Sequence, residues 1–273
     1  MSFKQFIPEI QEEWDAYWKK TSVEDELGLI KTDGLRPIFA KLLTKKGKIL
    51  EAGCGLGKWI ITLSRQGYNI QGVDTNQYAL KKLKKHFPDA KAKIADVQDL
   101  PFPDETFDAY LSLGVVEHFE EGPEKALREA YRVLKKGGVA FIEVPFDSPL
   151  RKLARAWTRT VPVIKTPARV LLELLGVRKK KEKIKMRFYE YRYTRQELES
   201  FVKKAGFKKI KIYPKDDLSD QRSIALWLDY QKLQKSEGKM FELNKRGSLV
   251  KRMLEAISPL TYCALIVAVA RKS

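Results

Sequence analysis

The sequence predicts an α/β fold in which a mostly parallel sheet carries helices on both faces. Three observations predict it. Short runs rich in Ile, Val and Leu recur between residues 48 and 144, stretches of helical periodicity separate them, and a loop with glycine at every second position, Gly53, Gly55 and Gly57, follows the first run. Sheets of this kind bind ligands at the carboxyl ends of their strands, where the glycine loop falls. Those glycines keep side chains out of the way of whatever approaches the backbone there.

Residues 3–20 place Phe6, Ile10, Trp14, Tyr17 and Trp18 at near-helical spacing and are expected to form one amphipathic helix. Residues 34–44, with Pro37 near the start and Gly47 beyond the end, read as a second. Both either cover the mouth of a site over the glycine loop or pack on the side of the domain. A regular alternation then runs through strand 49–52, helix 57–66, strand 69–74, a helix over 76–86 that Asn76 helps start, strands 91–95 and 107–112, a helix over 121–134 ended by Gly137 and Gly138, and strand 139–144.

Beyond Pro145 the alternation lapses. Leu150, Leu153, Ala154 and Trp157 share one helical face with Arg151, Lys152, Arg155 and Arg159 around them, and an apolar run over 170–175 precedes Arg178, Lys179, Lys180, Lys181 and Lys183. Such a pattern suits a membrane interface, and equally a lid that closes its apolar face over a substrate. Thr194, with Glu197 three residues on, heads a helix to residue 205, and residues 207–213 form a strand. Residues 216–260 interrupt again, with helices near 224–233 and 249–257, before a last strand of small and β-branched residues over 262–270. The expected units are a helical cap (1–47), a cofactor-binding half (48–147), a basic lid or insertion (148–190), and the remainder of the domain (191–273) with its own insertion at 216–260.

The 273 residues are ample for one large core, and Lys plus Arg exceed Asp plus Glu by 53 to 35, a formal charge of +18. The excess is local: residues 148–213 hold 20 basic and 5 acidic side chains, whereas residues 1–147 hold 22 and 23. A field of that sign favours an anionic partner, either a membrane surface or nucleic acid, or forms a solvated face. Two cysteines are too few for a disulfide framework or a zinc cluster. Acidic and aromatic residues occupy the place of a secretory leader's apolar core, and the apolar run over 256–270 falls short of the ~20 residues that span a bilayer. A cytoplasmic protein, soluble or peripheral at a membrane, is expected.

The site is read from four strand tips. After the glycine loop the next strand ends in Asp74, 21 positions beyond Gly53, where a carboxylate can accept hydrogen bonds from two ribose hydroxyls. The third strand ends in Ala95-Asp96-Val97, placing a second carboxylate where an adenine amino group can donate to it. The fourth ends in Ser112-Leu113-Gly114-Val115 and leads into Glu117 and His118. Dinucleotide loops carry glycine at the first, third and sixth positions, but here the sixth is Lys58, and no Lys-Ser or Lys-Thr pair follows as in a triphosphate loop. A ribose and an adenine without a pyrophosphate fit better.

Together, Glu51-Ala52-Gly53-Cys54-Gly55-Leu56-Gly57, Asp74, Ala95-Asp96-Val97 before Leu100-Pro101-Phe102, Phe107-Asp108-Ala109, Val116-Glu117-His118 and Leu134-Lys135-Lys136-Gly137-Gly138 resemble the class I S-adenosylmethionine-dependent methyltransferases. Within them the likeness is to the type 11 group, which includes quinone and small-molecule methyltransferases. It covers roughly residues 35–213 and the final strand. The resemblance implies a Rossmann-like sheet of order 3-2-1-4-5-7-6 with the last strand antiparallel. It implies that S-adenosyl-L-methionine is the cofactor, that Glu51, Gly53 and Gly55 line its methionine part, with Gly57 in the same loop, that Asp74 holds the ribose, that Asp96 and the Val97 backbone hold the adenine, and that Leu113 lies beside the transferring methyl. The 216–260 segment departs from the short hairpin usual there.

Methyl transfer is an in-line displacement promoted chiefly by alignment in a closed cavity, so no catalytic triad is required. A weakly acidic acceptor still needs a base, and His118 is the one histidine near the expected site. Glu117 and His118 equally suit the start of the following helix. The leading expectation is a methyltransferase of a small-molecule or lipid acceptor, at or near a membrane surface. Nucleic-acid methylation is the alternative, against which stands the missing Asn-Pro-Pro-Tyr type tip on the fourth strand; a protein acceptor and a non-catalytic cofactor-binding protein are further readings.

Overall fold

The computed structural model describes residues 2–8, 14–160, 186–238 and 240–273. Its strands are β1 (Phe3–Pro8), β2 (Lys48–Ala52), β3 (Asn69–Asp74), β4 (Ala92–Ile94), β5 (Phe107–Leu113), β6 (Leu134–Pro145), β7 (Met186–Arg192), β8 (Lys208–Lys215) and β9 (Leu265–Arg271). The helices are α1 (Trp14–Lys20), α2 (Val23–Ile30), α3 (Arg36–Leu42), α4 (Lys58–Arg65), α5 (Gln77–His86), α6 (Glu124–Val133), α7 (Pro149–Thr160), α8 (Arg195–Lys204), α9 (Ile224–Asp229) and α10 (Lys245–Ile257).

Seven strands form one sheet in the order β4-β3-β2-β5-β6-β9-β8, with β9 antiparallel to both neighbours. Counted within the sheet, this is the 3-2-1-4-5-7-6 order that the sequence implies. The central strands are buried on both faces, which is why they read as unbroken apolar runs. Successive residues alternate between two cores. Leu50, Tyr110 and Ile142 enter the one beneath α6 and α8, while Ile49, Leu111 and Phe141 enter the one beneath α3, α4 and α5. Local signals set the helix starts: Asn76 accepts from the Ala79 N–H ahead of α5, and Thr194 with Glu197 forms a capping box ahead of α8.

Three local readings of the sequence are corrected. Residues 3–20 are not one helix, because residues 3–8 form β1, which pairs antiparallel with β7 in a separate two-stranded ribbon, and only Trp14–Lys20 is helical. Pro8 has no N–H to give a helix interior, and the partner strand lies some 180 residues away, beyond the reach of periodicity. The helix expected to run to Leu134 ends at Val133; Leu134 is already extended and pairs with Phe107, so Gly137 and Gly138 lie within β6, where the Gly137 N–H and the Gly138 carbonyl bond to Lys272. Helix α2 was missed, although Ser22 and Asp25 form a capping box at its start.

The chain leaves the carboxyl edge of the sheet twice, after β6 into α7 and after β8 into α9 and α10. These helices enclose a third, small core of Ala225, Leu226, Leu243, Tyr262 and Ala264. The run over 170–175 and the lysine cluster over 178–183 lie outside the described residues. No described helix is long and apolar enough to cross a membrane.

Candidate active site

The glycine loop is tied to the neighbouring strand before any ligand arrives. The Gly53 and Cys54 N–H groups donate to the Val73 carbonyl at 2.8 and 3.0 Å. Asp74 continues the clamp, accepting from Gly55 N–H at 2.7 Å on Oδ2 and from Asn76 N–H at 2.8 Å on Oδ1. Gly53, at φ 83°, admits no side chain, since a Cβ would lie 2.3 Å from Val115 Cγ2. At Gly55 a Cβ would lie 2.7 Å from the Trp18 indole, so α1 lies directly over the loop.

Two adjoining cavities open along this edge. One of ≈ 930 Å³ is lined by Glu51, Gly53, Gly55, Gly57, Leu113 and His118, and the other, of ≈ 690 Å³, by Gly53, Asp74, Asp96, Val97 and His118. Every residue that the resemblance assigns to the cofactor, together with His118, therefore lines one cavity or both, and Gly53 and His118 belong to the wall between them. Trp14 and Trp18 also face both, which decides that α1 covers the site rather than packing aside.

Glu51 is 3 % exposed, and its Oε2 has no hydrogen-bond partner within the protein. Burial pushes its carboxyl up to about 8, against the opposing pull of Lys58. The His118 ring is held edge-on by Trp14 and Tyr189, with centroids at 5.0 and 5.3 Å. Its Nδ1 lies 2.8 Å from the Tyr189 carbonyl, which can only accept, so Nδ1 carries the proton and Nε2 of the neutral ring keeps its lone pair. Burial lowers the His118 pKa, while the Tyr189 carbonyl and Glu190 pull upward. The helix-start reading of Glu117 and His118 does not hold: they form a separate 3-10 turn, and α6 begins after Pro123.

Sequence reasoning missed the charged floor of the larger cavity. Lys215 Nζ pairs with Glu143 at 3.0 Å and Asp33 at 3.3 Å, and Lys58 pairs with Glu26 at 3.1 Å. Burial alone would lower the Lys215 pKa, but the two carboxylates outweigh it and the net shift is upward. One signal was available, a glutamate within the otherwise apolar run over 139–144.

The donor set fits S-adenosylmethionine on the structure's own terms. An unpartnered buried carboxyl oxygen suits an ammonium group, two carboxylates line a slot for a diol and an exocyclic amine, and the glycine backbone leaves space between them. A sheet of this order with this loop and these strand-tip carboxylates defines the class I S-adenosylmethionine-dependent methyltransferase fold. Residues 50–142, about a third of the chain, match the family model described as a methyltransferase domain.

Similar proteins agree with that class. Over 115 residues the chain is 33% identical to 2-methyl-6-phytyl-1,4-hydroquinone methyltransferase 2, chloroplastic, of Oryza sativa subsp. japonica, covering 41% of this chain and 32% of that protein. Over 138 residues it is 29% identical to the malonyl-[acyl-carrier protein] O-methyltransferase of Hamiltonella defensa, covering 50% and 53%. The chain thus spans between a third and about half of the length of these relatives. Among solved structures, a chain from the complex between the Haloferax volcanii Trm112 methyltransferase activator and a methyltransferase superposes with a TM-score of 0.59 at 17% identity, covering 96% of this chain and 98% of that one. A SAM-dependent methyltransferase from Archaeoglobus fulgidus gives 0.57 at 16%, covering 96% and 100%. At such identities the likeness is one of fold.

Proposed function

We propose that this protein transfers a methyl group from S-adenosylmethionine to a small-molecule or lipid acceptor. The observation that carries the reading is the pair of cavities meeting at Gly53 and His118, one walled by Asp74 and Asp96, the other by Glu51 and Leu113. In this reading Asp74 holds the ribose hydroxyls, Asp96 and the Val97 backbone the adenine, and Glu51 with Gly53, Gly55 and Gly57 the methionine end. Leu113 lies beside the reacting methyl. When bound, the cofactor supplies a methyl group on a positively charged sulfur. The chain's own residues do the rest: Trp14, Trp18 and Tyr189 exclude water, and His118 Nε2 takes the acceptor's proton. The hydroquinone and acyl-carrier names of the relatives support an acceptor outside nucleic acid.

The test offers labelled cofactor with membrane extract, soluble extract and total RNA side by side. Label is expected in the small-molecule or lipid fraction. Label confined to RNA would move the acceptor to nucleic acid, and failure to bind the cofactor would remove the reading altogether.

Two further outcomes are expected. Glu51 is held neutral by burial up to about 8, so an ammonium placed beside it favours the ionised form and cofactor binding releases a proton. Affinity should therefore rise with pH from the ordinary carboxyl range to about 8 and then level off, and calorimetry in buffers of different ionisation enthalpy should show the release near neutral pH. The same linkage makes the ligand-free fold lose stability over that window, because the unfolded chain has already given up the proton. Glu51→Gln should abolish both slopes; unchanged slopes would show that Glu51 does not face the cofactor.

His118→Gln is expected to lower kcat by about 100-fold with cofactor affinity little changed. The acid limb of the rate profile should vanish with it. Turnover that is unaltered at every pH would remove His118 from the chemistry.

A further inference from the structure

The outward face of α10 has no place in the methyl-transfer reading. Leu249, Met253 and Ile257 recur every fourth position and stand 52%, 62% and 74% exposed, forming a continuous apolar stripe. Around it the exposed charged residues of the same helix are Lys245, Arg246 and Arg252. The helix's single carboxylate, Glu255, 35% exposed at its side chain, is engaged off the stripe, where it accepts from the Tyr262 hydroxyl at 2.9 Å and lies 3.5 Å from buried Lys251. Among the described residues, no carboxylate pairs with Lys245, Arg246 or Arg252.

The stripe has a neighbour. Helix α7 packs on the same 3-10 turn (Pro259–Thr261) as α10 and presents Leu153, 65% exposed, with exposed Lys152 beside it. Residues 149–160 contain no acidic side chain. Both helices follow strands that end at the carboxyl edge of the sheet, the edge along which the two cavities open. Exposed apolar side chains whose exposed charged neighbours on the same helices are cations match an anionic lipid surface: the apolar groups enter the headgroup boundary while Lys and Arg meet the phosphates.

We infer that α10, with the start of α7, docks this protein on an anionic membrane surface, bringing the cavity edge to the bilayer. The inference concerns a face outside the cavities and stands apart from the methyl-transfer reading. The probes are vesicles of phosphatidylcholine with and without phosphatidylglycerol, co-sedimented with the full chain at low salt. Wild type is expected to bind the anionic vesicles and to be released by salt. Leu249→Gln with Met253→Gln and Ile257→Gln should weaken binding on the order of 100-fold, and Arg246→Glu with Arg252→Glu should abolish the preference for phosphatidylglycerol. Melting temperature and cofactor affinity report folding separately, and neither should change. No sedimentation of wild type with anionic vesicles, or equal binding by the triple variant, overturns the inference. So does a wild type that is dimeric in solution while the triple variant is monomeric, because the stripe would then join two copies of the chain.

Discussion

Replacing Lys215 with methionine is expected to destabilise the fold by about 3–5 kcal/mol, read as a fall in the urea midpoint. The aliphatic stem is retained, so packing is nearly conserved. What is lost is the one cation between Glu143 at 3.0 Å and Asp33 at 3.3 Å, both themselves buried. The two buried carboxylates then lose the ion pair they share, which costs more than the attraction in a fully solvated pair. The companion substitution Glu143→Gln in the Lys215→Met background should recover a substantial part of the loss by removing one of the stranded charges. The pH dependence has a definite sign. Because the folded chain holds the Lys215 proton more tightly than the unfolded chain, its contribution is complete below the ordinary lysine value and declines as pH rises past it. Wild type and Lys215→Met should therefore converge in strongly alkaline solution. A loss of less than about 1 kcal/mol would mean that water reaches the group and the triad is not a buried one.

Asp74→Ala is expected to weaken S-adenosylmethionine binding on the order of a thousandfold by calorimetry. The reason is that Asp74 acts twice. Its two oxygens already hold the Gly55 and Asn76 N–H groups, so truncation frees the loop as well as removing the proposed ribose acceptor. Each charge-assisted bond of this kind is worth about 1.5–3 kcal/mol. Asp74→Asn separates the two roles: its amide oxygen can still serve one N–H, while its NH₂ opposes the other. Its loss should lie between wild type and alanine. If Asp74→Ala bound the cofactor as tightly as wild type, the second cavity would not be the adenosine site.

The parallel sheet was legible because its strands are buried on both faces and stand out as apolar runs, and strand 69–74 was placed to the residue. The strand-tip carboxylates were legible because a strand tip is a topological position: Asp74 follows Val73 at the end of β3 whatever packs around it. Pro8, by contrast, already argued against the helix over residues 3–20, and periodicity prevailed because β1 finds its partner only in β7. Lys215 and Asp33 are far apart in the chain and unremarkable in composition, and nothing local marks them as a pair. The same holds for the Nδ1 contact of His118 with the Tyr189 carbonyl, which assigns the tautomer.

The sequence by itself determined the sheet, its glycine loop and the residues at its strand tips, since hydrophobic period, turn residues and strand ends are local properties carried from one residue to the next. Tertiary structure alone decided that α1 roofs the loop, that Lys215 is caged by two carboxylates, which nitrogen of His118 bears the proton, and which face of α10 is left uncovered. Each of those depends on contacts between segments brought together only when the chain closes on itself.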